Sequence, residues 1–258
     1  MLQVFVPTRG RAHLRRTINN LHLEALHARN VINCCVVVPE CEAEQWTDCS
    51  LPVQTVPDKW RFEDVRQHIL RTCPGEYHVV LDDDLTFYRK AGPKEKEKIT
   101  SEEQAAGLMG HILELLQTYH HGSLSTTLTH HFFDRGLREC ERAQCVHFYR
   151  PSSIPADFCF MDCKEYEDMH CTLTLLERGV PNVVSYYYIL SNSTNSKGGC
   201  SRYRTLATQN EYATQFQAVH PKYVKTTAPK YSKVWKGDKI NVRVQWKSAL
   251  KQSKQSKR

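Results

Sequence analysis

The sequence predicts an α/β domain with a mostly parallel central sheet flanked by helices, followed by a basic C-terminal extension. Three observations carry that reading. Apolar, β-branched runs alternate with stretches of helical periodicity from Leu2 to Leu190. The first of these units is strand, helix, strand, at a spacing that favours parallel pairing. Positive charge collects at the end: twelve Lys or Arg against Asp238 alone between residues 222 and 258 leave 23 basic and 27 acidic side chains for the first 221. At 258 residues the chain is long enough for one large domain, and the expected division is 1–221 for the α/β domain and 222–258 for the basic segment.

The elements follow in order. Leu2 to Val6 reads as the first strand, stopped by Pro7, and Thr8-Arg9-Gly10-Arg11 makes a polar turn. Leu14, Ile18 and Leu21 then recur at helical spacing and predict one helix from about His13 to His27. Ile32 to Val38 is a second buried strand ending at Pro39. A short strand at Val53 to Val56 precedes a helix from Phe62 to Thr72 that turns Val65, Ile69 and Leu70 inward, with Pro74-Gly75 after it. Tyr77 to Leu81 is the next strand, and Gly92 to Lys98 reads as a charged surface loop. Ser101, with Glu102 and Glu103 behind it, starts a helix running to Tyr119. Strands are expected at Leu124 to Thr129, Val146 to Tyr149 and Phe158 to Met161, then a helix from Tyr166 to Arg178 stopped by Gly179 and Pro181. Val183 to Leu190 is an aromatic, β-branched strand, Ser191 to Ser201 a polar loop, and Leu206 to Val219 the last helix.

Asp82, Asp83 and Asp84 close the strand at Tyr77 to Leu81, at the end where open α/β sheets place their ligands. Three adjacent carboxylates repel one another, and a divalent cation holding a phosphate relieves the conflict. Strand alternation would turn Asp82 and Asp84 to one face and Asp83 to the other. Arg9 and Arg11 stand in the turn after the first strand, on the same sheet edge, where guanidinium forks suit phosphate oxygens. Arg66, on the helix leading to the triplet strand, is a weaker donor-side candidate. Glu167-Asp168 falls in the first turn of a helix, where acids complement the helix dipole or where one carboxylate takes a proton from a hydroxyl. Tyr223, Tyr231, Trp235 and Trp246 interleave with the C-terminal lysines, a pattern that suits nucleic acid, against the plainer reading of a solvated tail.

Val4-Phe5-Val6-Pro7-Thr8-Arg9-Gly10-Arg11, the Leu-Asp-Asp-Asp triplet and the Glu-Asp pair followed by Leu173, Leu175, Leu176 and Gly179 resemble the nucleotide-sugar glycosyltransferases of the GT-A (Rossmann-like) fold. The resemblance covers roughly the first 190 residues. It implies a nucleoside diphosphate sugar, a UDP-sugar above all, bound through Mn²⁺ or Mg²⁺. Donor-binding residues would be Pro7, Thr8, Arg9, Gly10, Arg11, Arg66, Asp82 and Asp83, with Lys197, Gly198 and Gly199 as a lid over the diphosphate. Asp84 and Asp82 would hold the metal, joined by His220. Asp168 would be the base of an inverting transfer, with Glu167 beside it.

More narrowly the chain is similar to the bacteriophage TET-associated glycosyltransferases, which implies DNA containing hydroxymethylated pyrimidine as acceptor. The basic C-terminus supports that independently. Two alternatives stand beside it: a transferase acting on a protein, glycan or small molecule, and a non-enzymatic DNA-binding module. Eleven cysteines, odd in number and irregularly spaced, with no leader ahead of Leu2, predict reduced thiols in a cytoplasm, the host's if the chain is phage-encoded. No apolar run approaches the roughly 20 residues of a membrane span, so no membrane partner is expected. His120-His121, His130-His131, Cys140, Cys145 and His147 lack the paired spacing of a zinc site.

Overall fold

The computed structural model describes residues 1–132, 134, 136–192 and 203–255. One sheet is built from β1 (Leu2–Pro7), β2 (Ile32–Pro39), β3 (Val53–Val56), β4 (Tyr77–Leu81), β5 (Leu85–Lys90), β6 (Lys96–Lys98), β7 (His121–Thr126), β8 (Leu137–Glu139), β9 (Val146–Tyr149) and β10 (Val183–Asn192). The spatial order is β3-β2-β1-β4-β9-β7-β10-β5-β6, with β8 on β10. β1, β2, β3 and β4 are parallel, β9 inserts antiparallel, and β7 and β10 resume the first direction. Only β5, β8 and β9 oppose the strands pointing with β1, so the sheet is mostly parallel in direction.

The helices are α1 (Arg16–Asn20), α2 (Leu23–Ala28), α3 (Phe62–Thr72), α4 (Glu102–Thr118), α5 (Glu167–Glu177), α6 (Leu206–Val219) and α7 (Trp246–Gln255). Alternation along β1 shows how they cover the sheet: Val4 and Val6 join a core with α1, α2 and α4, while Phe5 joins a second core with α3 and α5. Both faces are therefore dry, which is why β1, β2 and β4 read as mainly apolar runs, interrupted only by Gln3, Asn33 and His78. At Gly122, between Phe148 on β9 and Val183 on β10, a Cβ would meet the Phe148 ring and lie 2.5 Å from the Val183 carbonyl. The close approach of three strands there needs glycine. No helix among the described residues is long and apolar enough to cross a membrane.

The single helix expected over His13 to His27 is two short ones. Leu21, Leu23 and Leu26 are all fully buried, and a spacing of two cannot stay on one helical face. The chain breaks at His22, which takes a left-handed φ of 48°. The strand expected at Phe158 to Met161 is instead a 3-10 turn over Phe160–Cys163. Its backbone is satisfied by side chains of α3: Gln67 donates to the Phe158 carbonyl and accepts from the Phe160 amide, and Arg71 donates to Phe158 at 2.7 Å. The Gly92 to Lys98 loop ends in the exposed edge strand β6, whose lysines guard the sheet's rim.

Beyond α6 lie two small antiparallel pairs. β11 (Val224–Thr226) pairs with β14 (Val242–Val244), and β12 (Lys230–Ser232) with β13 (Gly237–Lys239). Tyr223, Val224, Ala249 and Leu250 are buried against Leu173 and Leu176 of α5 and Phe216 of α6. The same residues that make this stretch basic leave enough apolar side chains to form a third core.

Candidate active site

The register of β1 on β4 matches Phe5 with Val80, so two residues further on Pro7 comes level with Asp82. The arginine turn and the carboxylate triplet thus meet at one sheet edge. Asp82 to Asp84 form a turn rather than the end of the strand. Thr17 of α1 holds that turn: its amide donates to the Asp83 carbonyl, its hydroxyl donates to the Asp82 carbonyl at 2.6 Å, and the hydroxyl accepts from the Leu85 amide at 2.9 Å. Asn20 adds a bond to the Leu85 carbonyl.

Because the triplet is a turn, the expected pairing of Asp82 with Asp84 on one face does not hold. Asp83 accepts from the Thr8 hydroxyl at 2.6 Å and from Arg11, and Arg11 also reaches Asp84 at 3.2 Å. Asp82 turns the other way, toward Arg66, 3.7 Å off. Its Oδ1 is buried with no hydrogen-bond partner among the described residues, although the side chain keeps 29% exposure. Burial pushes the Asp82 carboxyl up to about 7, with Arg66 opposing and Asp84 and Asp83 adding to the rise. Asp83 is raised by burial too, against the bonds from Thr8 and Arg11.

The other donor-side residues are engaged within the protein. Arg9 donates to the Asp58 carbonyl, and the Gly10 amide donates to the buried Glu42 carboxylate at 2.7 Å. Gly10 sits at φ 70°, where glycine is favoured. Lys197, Gly198 and Gly199 lie outside the described residues.

Arg66 is the centre of the site. It is 3% exposed, stacks on Phe62 at 4.5 Å, and has Glu167 Oε1 at 3.9 Å opposite Asp82. Neither carboxylate reaches hydrogen-bond distance, and its Nε and Nη1 are buried without hydrogen-bond partners among the described residues. The rings of His121 and His147 stack nearby at 5.6 Å, both forced neutral chiefly by burial, with the Arg66 charge contributing. Glu167 is buried and its carboxyl raised by burial, with Arg66 opposing.

Asp168, beside it in the first turn of α5, is bound differently. Its Oδ2 accepts from Arg142 Nη2 at 2.9 Å and Nε at 3.2 Å, and its Oδ1 from the Met169 amide at 2.6 Å. Arg142 is exposed and stands over the carboxylate. Nothing in the sequence singled out Arg142 or Thr17. Both lie on segments brought in by strand pairing, at long separation from what they touch.

His220 does not join the triplet. It is buried at the end of α6, its Nε2 2.7 Å from His170 Nδ1 and its Nδ1 3.1 Å from Glu177. Those partners lie one turn into α5 and at its last residue, whereas Glu167, its first residue, faces Asp82 across Arg66. The chain's route after α6 carries His220 past the carboxylates.

β12 and β13 pair as a hairpin that is tied to α6 through Asn210, which donates to the Asp238 carbonyl and accepts from the Ile240 amide. Lys239 is pushed down by burial and then by the charges of Arg142 and Arg204. The hairpin leaves Tyr231 and Val234 exposed among Lys230, Lys233 and Lys236.

No protein-family model matches the chain, and no curated protein matches it by sequence. Solved structures do. The mannosyltransferase PcManGT of Pyrobaculum calidifontis, in complex with GDP-Man and Mn²⁺, superposes with a TM-score of 0.52 at 14% identity, over 86% of this chain and 64% of that one. TarS of S. aureus with UDP-GlcNAc gives 0.48 at 12% identity, over 84% and 66%. The chain spans less than two thirds of the length of each. At such identities the likeness to the mannosyltransferase concerns architecture: the chain has the GT-A fold, a mostly parallel sheet flanked by helices with a carboxylate turn at its edge.

Proposed function

We propose that the protein is a glycosyltransferase, of the inverting kind by the role given to Asp168, that moves a sugar from a nucleoside diphosphate sugar to a hydroxymethylated pyrimidine in DNA.

 The observation that carries this reading is the carboxylate turn Asp82 to Asp84, fixed at the sheet edge by Thr17 and faced across Arg66 by Glu167-Asp168. The mannosyltransferase with the same fold carries GDP-Man and Mn²⁺, which supports a nucleotide-sugar donor and a divalent metal. In this reading residues 1–221 form the transferase domain, 222–258 the basic segment that meets nucleic acid, and the protein works in the cytoplasm.

The residues fit a metal. An Asp82 oxygen buried with no hydrogen-bond partner among the described residues, a carboxyl raised to about 7, and the nearby charges of Asp84 and Asp83 describe a site that a cation would relieve. Asp82 and Asp84 would hold Mn²⁺ or Mg²⁺, which when bound offsets the charge on a leaving diphosphate. Pro7, Thr8, Gly10 and Asp83 shape the donor side, and Arg9, Arg11 and Arg66 bring positive charge to it. Arg11 exchanges its carboxylate partners for phosphate oxygens as the donor arrives.

Asp168 is the base. The acceptor hydroxyl oxygen attacks the anomeric carbon, the bond from that carbon to the diphosphate breaks, and the hydroxyl proton passes to Asp168. Arg142 orients the carboxylate through two bonds and, being exposed, moves aside or contacts the acceptor. Glu167, whose burial favours its protonated form, is the poorer base and acts as the neighbour that holds Arg66. The exposed Tyr231 among Lys230, Lys233 and Lys236 on the β12–β13 hairpin supports a nucleic-acid acceptor.

The test is to incubate the protein with Mn²⁺, a panel of nucleotide sugars, and DNA with or without hydroxymethylated pyrimidine, then weigh the released nucleosides by mass spectrometry. A hexose-sized mass gain confined to hydroxymethylated DNA is expected. Transfer only to a protein, glycan or small molecule would replace the acceptor, and DNA binding with no sugar-nucleotide turnover would leave a binding module.

A further inference from the structure

Outside the carboxylate site, one cluster of soft ligands comes together from three separate segments. Cys163 ends the 3-10 turn before α5, His170 lies in α5, and His220 caps α6. All three are buried, and one ligand atom from each lies within 4.8 Å of the others. None of the histidines and cysteines whose sequence clustering suggests zinc takes part.

With neutral rings the hydrogen-bond pattern leaves this cluster one proton or one metal ion short, because a second proton on His220, paired with Glu177, would also satisfy the His220–His170 contact. Glu177, 3.1 Å from His220 Nδ1, places the proton on that nitrogen and leaves the Nε2 lone pair facing His170 Nδ1 at 2.7 Å. If His170 carries its proton on Nδ1, its buried Nε2 is left with no donor, and that atom has no partner among the described residues. If the proton is on Nε2, two lone pairs confront each other. A second proton on the ring is opposed by burial and by His220, which push His170 down to about 3 against the Cys159 backbone. Phe158 stacks on His170 at 4.8 Å and Phe216 packs edge-on against His220 at 5.4 Å, so water is a poor substitute.

We propose that Cys163, His170 and His220 form a zinc site that ties α5 to the end of α6. One thiolate and two imidazoles favour Zn²⁺ over the hard cations that carboxylates select, and the Glu177 carboxylate behind His220 is the outer partner that zinc-bound histidines use. Zinc displaces the thiol proton of Cys163 and takes the lone pairs of both rings, and a water or another ligand completes the fourth position. The site also anchors the C-terminal stretch, since the amides of Tyr223 and Val224 both donate to the His220 carbonyl.

The full-length protein, stripped with a chelator and titrated with Zn²⁺ and then Co²⁺, tests this. About one equivalent of metal is expected to bind, with a thiolate-to-cobalt charge-transfer band in the near ultraviolet. Cys163→Ser should lose that band, whereas Asp82→Asn with Asp84→Asn should keep it, which separates this site from the donor site. Should Cys163→Ser fail to fold, Glu177→Gln at the half-exposed outer position should weaken Zn²⁺ binding by about 10- to 100-fold. A protein that binds neither ion, or binds Co²⁺ with no thiolate band, overturns the proposal.

Discussion

Arg66→Met is expected to destabilise the protein by about 3–5 kcal/mol at pH 7.5, the range for removing one partner of a buried ion pair. Arg66 is the charge that Asp82 and Glu167 share, and it also lies within electrostatic reach of Asp168. Its removal leaves those carboxylates facing one another beside the neutral rings of His121 and His147. The loss should shrink at lower pH. Asp82 already has a folded pKa near 7, above its unfolded value, so the folded state takes up a proton more readily than the unfolded chain as pH falls through 7. Without Arg66 that preference grows, and acid protonates the carboxylates the arginine used to balance. Urea unfolding of the metal-free protein at pH 7.5 and 5.5 checks this: equal losses at both pH values would contradict it. Glu167→Gln added to Arg66→Met should recover part of the loss, because one of the unbalanced charges is gone.

Asp168→Asn should lower sugar transfer by about 10²- to 10⁴-fold while donor affinity stays within about threefold. The amide keeps the shape and one acceptor oxygen for Arg142 or the Met169 amide, but it cannot take a proton. Initial rates and donor titrations on the same preparation separate the two effects. Full activity in the variant would remove Asp168 from the chemistry, and lost donor binding would make it a positioning residue.

Much of the fold was legible because both faces of the sheet are covered. Apolar runs such as Ile32–Pro39 and Val183–Asn192 have no other use, and α3 and α6 carry clear starts and stops. Misreadings fell where side chains replaced backbone pairing. Gln67 and Arg71 satisfy the Phe158 to Phe160 backbone, so a strand-like stretch became a turn. Burial misled as well: Leu21, Leu23 and Leu26 all turn inward around a left-handed His22, so one expected helix became two. β5 and the C-terminal strands went unseen because their short segments are polar on one side and depend on distant partners.

The site divides in the same way. Arg11, Asp82, Asp83 and Asp84 were legible as neighbours because strand order alone puts the ends of β1 and β4 together. Which carboxylate faces which arginine was not, since it depends on a turn whose shape is set by Thr17, 65 residues away. His220 was misplaced for a related reason. Sequence order says that it follows α6, but only packing shows that α6 delivers it to His170 and Glu177.

The most direct measurement is a calorimetric titration of UDP and GDP into the protein with and without Mn²⁺, repeated on Asp84→Asn. If the carboxylate turn holds a metal and a nucleoside diphosphate together, binding of at least one nucleotide requires Mn²⁺ and is lost in the variant. Binding that is indifferent to Mn²⁺ and unchanged by Asp84→Asn, or absent for both nucleotides, would contradict that role for the turn.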